Sequence, residues 1–226
     1  MIVVSPHFDD AVFGCGTLLA AHPGARVVTV FAGLPRDPHQ CTEWDERSGF
    51  ADAEQAVTHR RREDRRALGL LRAHAVWLDF ADAQYGESPA ADAIAAVLRE
   101  LLRPLARDTV LYPLGLFHSD HLLVHAACRA ALAGLPELVP LAYEDALYRA
   151  RPGLLQRRLA ELAQQGLRAT PARLAAPAGG AALKAQAVQA YASQLRALGP
   201  DGWDDTARPE RYWQLEEEDD DAGGAR

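Results

Sequence analysis

The chain is poor in cysteine. Cys15, Cys41 and Cys128 are an odd number at wide spacing, which argues against a disulfide framework and for free thiols in a reducing cytoplasm. It has no apolar run near the roughly 20 residues that span a bilayer, so no membrane span is expected. The basic start of a secretory signal is missing too; the N-terminus moves directly into a strand. Positive charge is not in excess. With 24 Lys and Arg against 31 Asp and Glu, the formal net charge is −7, and nothing electrostatic favours nucleic acid or an anionic membrane. Two familiar motifs also fail. Gly14-Cys15-Gly16 follows a strand, but Leu19 stands where a dinucleotide fingerprint needs its third glycine. No Gly-x-Ser-x-Gly elbow offers a serine nucleophile. The two glycines are instead expected to let a loop fold tightly.

What is present describes a soluble enzyme-sized domain. The 226 residues, 49% apolar and 24% charged, suffice for one domain with a real core, expected over residues 1–215. Glu216–Asp221 is a run of six carboxylates, so residues 216–226 read as an acidic disordered tail.

Strand and helix signals alternate along the first two thirds. Strands are expected at Met1–Ser5, Arg26–Phe31, Val76–Leu78, Thr109–Tyr112 and Leu138–Tyr143. Helices are expected at Gly16–His22, Ala51–Leu71, Ala90–Leu102, His121–Ala133, Leu154–Ala163 and Ala182–Leu198, the fourth capped by Ser119 or Asp120. Residues 34–50 and 175–180 read as loops, and the stretches 34–50 and 150–180 as the walls of a pocket. Strands separated by helices imply an α/β fold: an open, mostly parallel sheet with helices on both faces and ligands beyond the carboxyl ends of the strands.

Two polar clusters follow strands at such ends. Ser5-Pro6-His7-Phe8-Asp9-Asp10 leaves the first, and His118-Ser119-Asp120-His121 follows the fourth. Hydrolytic zinc sites take three ligands from His, Asp, Glu or Cys and keep a position for water. His7 and Asp10, three apart on a tight loop, and His121 from the second cluster fill that requirement. Asp9, beside the ligand but able to point elsewhere, suits a general base. His118 as an imidazolium suits oxyanion stabilisation or protonation of a departing amine, with Asp120 fixing its tautomer. Competing readings stay open at this level. Asp9 or Asp10 could cap a helix, His118 and His121 could be surface residues at a helix start, and His125 makes a His-x-x-x-His pair with His121.

These two clusters together resemble the paired signatures of the LmbE-like, or PIG-L, zinc de-N-acetylases. Supporting matches are Thr42-Glu43-Trp44-Asp45, Arg60-Arg61-Arg62-Glu63-Asp64, Tyr143-Glu144-Asp145, and Lys184 with Tyr191-Ala192-Ser193-Gln194. The resemblance implies a Rossmann-like domain with one Zn2+, or another divalent metal, that removes an acetyl group from an amino sugar or glycoconjugate. It implies His7, Asp10 and His121 as ligands, Asp9 as base, His118 and Asp120 as the electrostatic and proton-transfer pair, and Arg60 and Glu63 in the substrate pocket. Ala11 stands where many members have Glu, and Leu116 where some have Tyr. The expected partner is a small N-acetylated amino-sugar substrate; self-association is left open. Two further functions compete: a zinc amidase or esterase cleaving a larger acyl group, and a non-catalytic binding module.

Overall fold

The computed structural model describes residues 1–105, 107–174 and 179–218. Seven strands form one sheet: β1 (Ile2–Ser5), β2 (Arg26–Thr29), β3 (His74–Trp77), β4 (Thr109–Pro113), β5 (Val139–Tyr143), β6 (Leu167–Ala172) and β7 (Tyr212–Glu217). Their order is β3-β2-β1-β4-β5-β7-β6; the first five are parallel and the last two antiparallel. The short, β-branched runs Ile2-Val3-Val4 and Val27-Val28-Thr29 are buried on both sides, as interior parallel strands must be.

Alternation along the strands builds two apolar layers. Val3, Val27 and Leu111 pack with α1 (Asp10–Ala21), α3 (Ala53–Leu70) and α7 (Gly180–Gln189). Ile2, Val4 and Val110 face the other way, onto α4 (Ala91–Leu102) and α5 (Ser119–Leu132). The expected α/β fold, mostly parallel with helices on both faces, is therefore the observed one. β1 and β4 are neighbours, yet the chain runs outward from β1 through β2 to β3 and from β4 to β5 in opposite directions. That reversal opens a crevice at their carboxyl ends. Both polar clusters lie there.

Several local expectations are corrected. Residues 34–50 contain α2 (Glu43–Ser48), begun by a capping box in which Thr42 and Asp45 satisfy each other's backbone N–H groups. α1 begins at Asp10, so Gly14 and Gly16 lie in a helix and not in a loop. A Cβ on Gly14 would stand 2.8 Å from Tyr143 Cδ2, and one on Gly16 2.7 Å from Lys184 Cγ; both glycines permit close approach. The continuous helix expected over Ala182–Leu198 is broken into α7 and α8 (Ala192–Leu198). Glu63 stops it by accepting the Ser193 N–H at 2.8 Å and its hydroxyl at 2.6 Å. β6 and β7 were not expected, and β7 carries Glu216 and Glu217 into the sheet, with Glu216 paired to Arg168 at 2.6 Å. The expected tail thus begins no earlier than Glu218; residues 219–226, like 175–178 of the expected loop, lie outside the described residues. α6 (Leu154–Gln164) falls where expected.

Candidate metal and catalytic site

The loop after β1 is tied down by Ser5, whose hydroxyl donates to His7 O at 2.5 Å and accepts the Ala11 N–H at 2.9 Å. This tie turns residues 7–10 across the strand end. Asp10 then sits at the meeting point of two imidazoles. Its Oδ2 lies 3.2 Å from His7 Nδ1 and 3.2 Å from His121 Nε2, and accepts the His7 N–H at 2.9 Å. Ligand atoms of His7, Asp10 and His121 all fall within 4.8 Å of one another. Asp9 occupies the N-cap position of α1 but makes no side-chain cap bond, so helix capping does not account for its carboxylate.

The second cluster opens α5. The N-cap is His118, one residue before the two caps expected, and its Nδ1 accepts the Asp120 N–H at 3.2 Å. That bond makes Nε2 the proton-bearing nitrogen of a neutral ring. Desolvation, then the neighbouring His7 and His121, lower its pKa, so the imidazolium expected here is disfavoured. Asp120 also departs from expectation. Its Oδ2 stands 3.0 Å from His7 Nε2 and 4.0 Å from His118 Nδ1, so the carboxylate orients His7 before His118. His121 is buried, and its Nδ1 lies 2.5 Å from Asp145 Oδ1, which leaves Nε2 to face Asp10. Asp145 Oδ2 is in turn held by the Gly115 and Leu116 N–H groups at 2.9 and 3.1 Å. His125 does not join the ligands: its Nδ1 donates to Pro113 O at 2.9 Å, away from His121.

The protonation pattern reveals how strongly this site favours positive charge. Desolvation alone would depress His7, yet Asp82, Asp10 and Asp120 hold its pKa well above the usual imidazole value. His121 is likewise lifted to about 9 against its desolvation, by Asp10 and then Asp145. Asp10 is desolvated too, but His121 and His7 keep it well below the carboxylate range. Asp9 moves the other way, to about 7, through desolvation and then the charge on Asp10. Two nitrogens and one carboxylate oxygen are the donor set of a three-ligand zinc site. The cluster can hold a divalent cation, and the donors fit one. His7, His118 and Asp120 are comparably close together. In that second group, however, His118 Nδ1 is engaged by backbone and Asp120 by His7.

A cavity of about 310 Å³ opens over this floor. Trp44 of α2, with its Nε1 donating to Gln194 at 3.0 Å, Phe31 and Tyr148 supply aromatic walls. Arg60 reaches the cavity while its Nη2 binds Asp45 at 2.9 Å, leaving a buried Nε without a partner among the described residues. Glu63, expected beside it, does not line the cavity because Ser193 consumes both its oxygens. The 34–50 stretch contributes a wall as expected, but the described residues of 150–180 do not; residues 147 and 148 take their place. Asp82, Asp145 and Tyr148 were given no role by sequence reasoning. Asp145 alone carried a signal, as part of Tyr143-Glu144-Asp145.

Comparisons with known proteins agree with this geometry. The chain is 37% identical over 164 residues to a 2'-N-acetylparomamine deacetylase of Streptomyces fradiae, covering 65% of this chain and 57% of that protein. Among solved structures, a triple mutant of a deacetylase involved in the teicoplanin biosynthetic pathway superposes with a TM-score of 0.78 at 27% identity, covering 97% of this chain and 98% of that one. The A40926 pseudoaglycone deacetylase Dbv21 gives 0.75 at 25% identity, covering 96% of each. The family described as PIG-L, GlcNAc-PI de-N-acetylase, matches residues 2–132, a span that contains every candidate ligand and carboxylate of the crevice except Asp145. The chain belongs to the PIG-L de-N-acetylase family.

Proposed function

We propose that the protein is a zinc-dependent hydrolase that removes the acetyl group from the nitrogen of an amino sugar within a small glycoside. One observation carries this reading: Asp10 joins two imidazoles at 3.2 Å, while the carboxylate of Asp9 next to it stays free of the helix cap. His7, Asp10 and His121 would hold the zinc ion, which would supply Lewis acidity toward the acyl group and nearby solvent.

Asp9 is placed to take a proton from the attacking water, and desolvation, which raises its pKa, favours its holding that proton before passing it on. The water oxygen bonds to the acyl carbon, the amide C–N bond breaks, and the proton passes to the amine, giving acetate and a free amino sugar. His118, with its proton on Nε2, donates a hydrogen bond toward the reacting acyl group. Asp120 holds His7, and Arg60 with Trp44 binds the sugar. The names of the matched relatives support an N-acetylated glycoside as substrate, and free Cys15, Cys41 and Cys128 support a reducing cytoplasm.

The test is acetate release from a panel of N-acetylated amino sugars and aminoglycosides by zinc-loaded protein. Asp9→Ala is expected to keep stoichiometric zinc and lose about 100- to 10,000-fold in turnover. Undiminished turnover would reject Asp9 as base, and preferential release of a longer acid would replace deacetylation with the larger-acyl reading.

A further inference from the structure

Tyr148 enters the cavity from the loop after β5, and lines it together with His7, Asp9, Asp10, His118 and His121. Its ring stands edge-on to His121, with centroids 5.2 Å apart at 90°, and 6.4 Å from the His118 ring. The Tyr148 hydroxyl forms no hydrogen bond with any of the described residues. A half-buried phenol commonly finds a partner for its O–H, and this one is left to face whatever occupies the cavity.

The backbone around it is held with unusual firmness. Leu147 has φ 69°, a left-handed conformation that a leucine adopts only where its surroundings impose it. Those surroundings converge on one carboxylate. Asp205 Oδ2 accepts the Leu147 N–H at 2.9 Å and Arg149 Nε at 2.8 Å, so both neighbours of Tyr148 are fixed by the same oxygen. Arg149 also donates to the backbone carbonyls of Asp205 at 3.0 Å and Pro209 at 3.1 Å. Strain of this kind, stored next to a reactive cluster and over-determined by a buried ion pair, points to a side chain whose direction matters.

We propose that Tyr148 is a further catalytic residue whose hydroxyl donates a hydrogen bond to the acetyl carbonyl oxygen, strengthening as that oxygen gains charge. This rests on the deacetylase reading above and adds a donor to it. A phenol stays protonated at neutral pH, so it can donate throughout the reaction without exchanging its proton. Such a donor acts on the transition state more than on bound substrate, so its loss falls on kcat and leaves KM nearly unchanged.

The experiment compares zinc-loaded parent and Tyr148→Phe on the same N-acetylated sugar, with acetate as a competitive inhibitor. Phenylalanine keeps the ring contacts with His121 and Phe117, so fold and zinc content are expected to persist, as checked by circular dichroism and metal analysis. The expected result is a kcat lower by about 10- to 100-fold, KM within about threefold, and an acetate inhibition constant raised by about tenfold. A variant with parental kcat and parental acetate inhibition overturns the proposal and leaves the deacetylase reading standing. A parent that releases no acetate from any N-acetylated sugar overturns both.

Discussion

His121 Nδ1 and Asp145 Oδ1 stand 2.5 Å apart, and neither side chain is more than 1% exposed. A carboxylate so placed keeps the proton on Nδ1 and leaves Nε2 able to accept a metal. Removing such a partner in metal sites generally costs 10- to 100-fold in affinity. Asp145→Asn is therefore expected to weaken zinc binding by about that factor, measured by competition with a chromophoric chelator. An unchanged affinity would show that His121 needs no help in choosing its tautomer.

Gly14 tests the packing beneath the site. Tyr143 is fully buried and its hydroxyl donates to Val4 O at 3.0 Å, so its ring cannot swing away from a new methyl group at 2.8 Å. Alanine gains up to about 1 kcal/mol in helix propensity, but overpacking costs about 1–3 kcal/mol. Gly14→Ala is expected to lose about 1 kcal/mol net in urea denaturation. A higher midpoint than the parent's would mean that Tyr143 has room to yield.

Asp64 sets a pH dependence away from the metal ligands. It accepts hydrogen bonds from Trp77 Nε1 at 2.7 Å and Tyr191 OH at 2.9 Å, yet desolvation raises its pKa from 3.8 to about 6. The folded state therefore holds this proton more tightly than the unfolded chain. Its contribution to stability is full below pH 3.8 and is lost as pH rises through 6, by about 3 kcal/mol at most. Unfolding free energies of parent and Asp64→Asn, measured from pH 4 to 7, should differ in slope over that window. Parallel curves would refute the shift.

The residues that meet at the crevice floor were legible because their signal is local. His7 and Asp10 are three apart directly after a β-branched run, and His121 follows the next cluster of the same kind. What stayed hidden depends on partners far along the chain. Asp145 meets His121 only because β4 and β5 are adjacent, and Tyr148 depends on Asp205 for its direction. The break between α7 and α8 comes from Glu63 and from Asp64 binding Tyr191, against an alanine-rich pattern that reads as one helix. β6 carries Pro171, tolerable at a sheet edge, and β7 ends in carboxylates, so both looked unlike strands. Only α2 left an overlooked clue, the Thr42-x-x-Asp45 capping pattern.

The crevice between β1 and β4 draws its three candidate donors from distant parts of the chain. His7 and Asp10 lie just after β1, whereas His121 follows β2, β3, α3 and α4, and its orientation depends on Asp145 after β5. Until β4 and β5 are docked beside β1, these groups cannot meet. A cation that needs all three side chains would therefore bind only the assembled sheet, and its uptake would report completed folding.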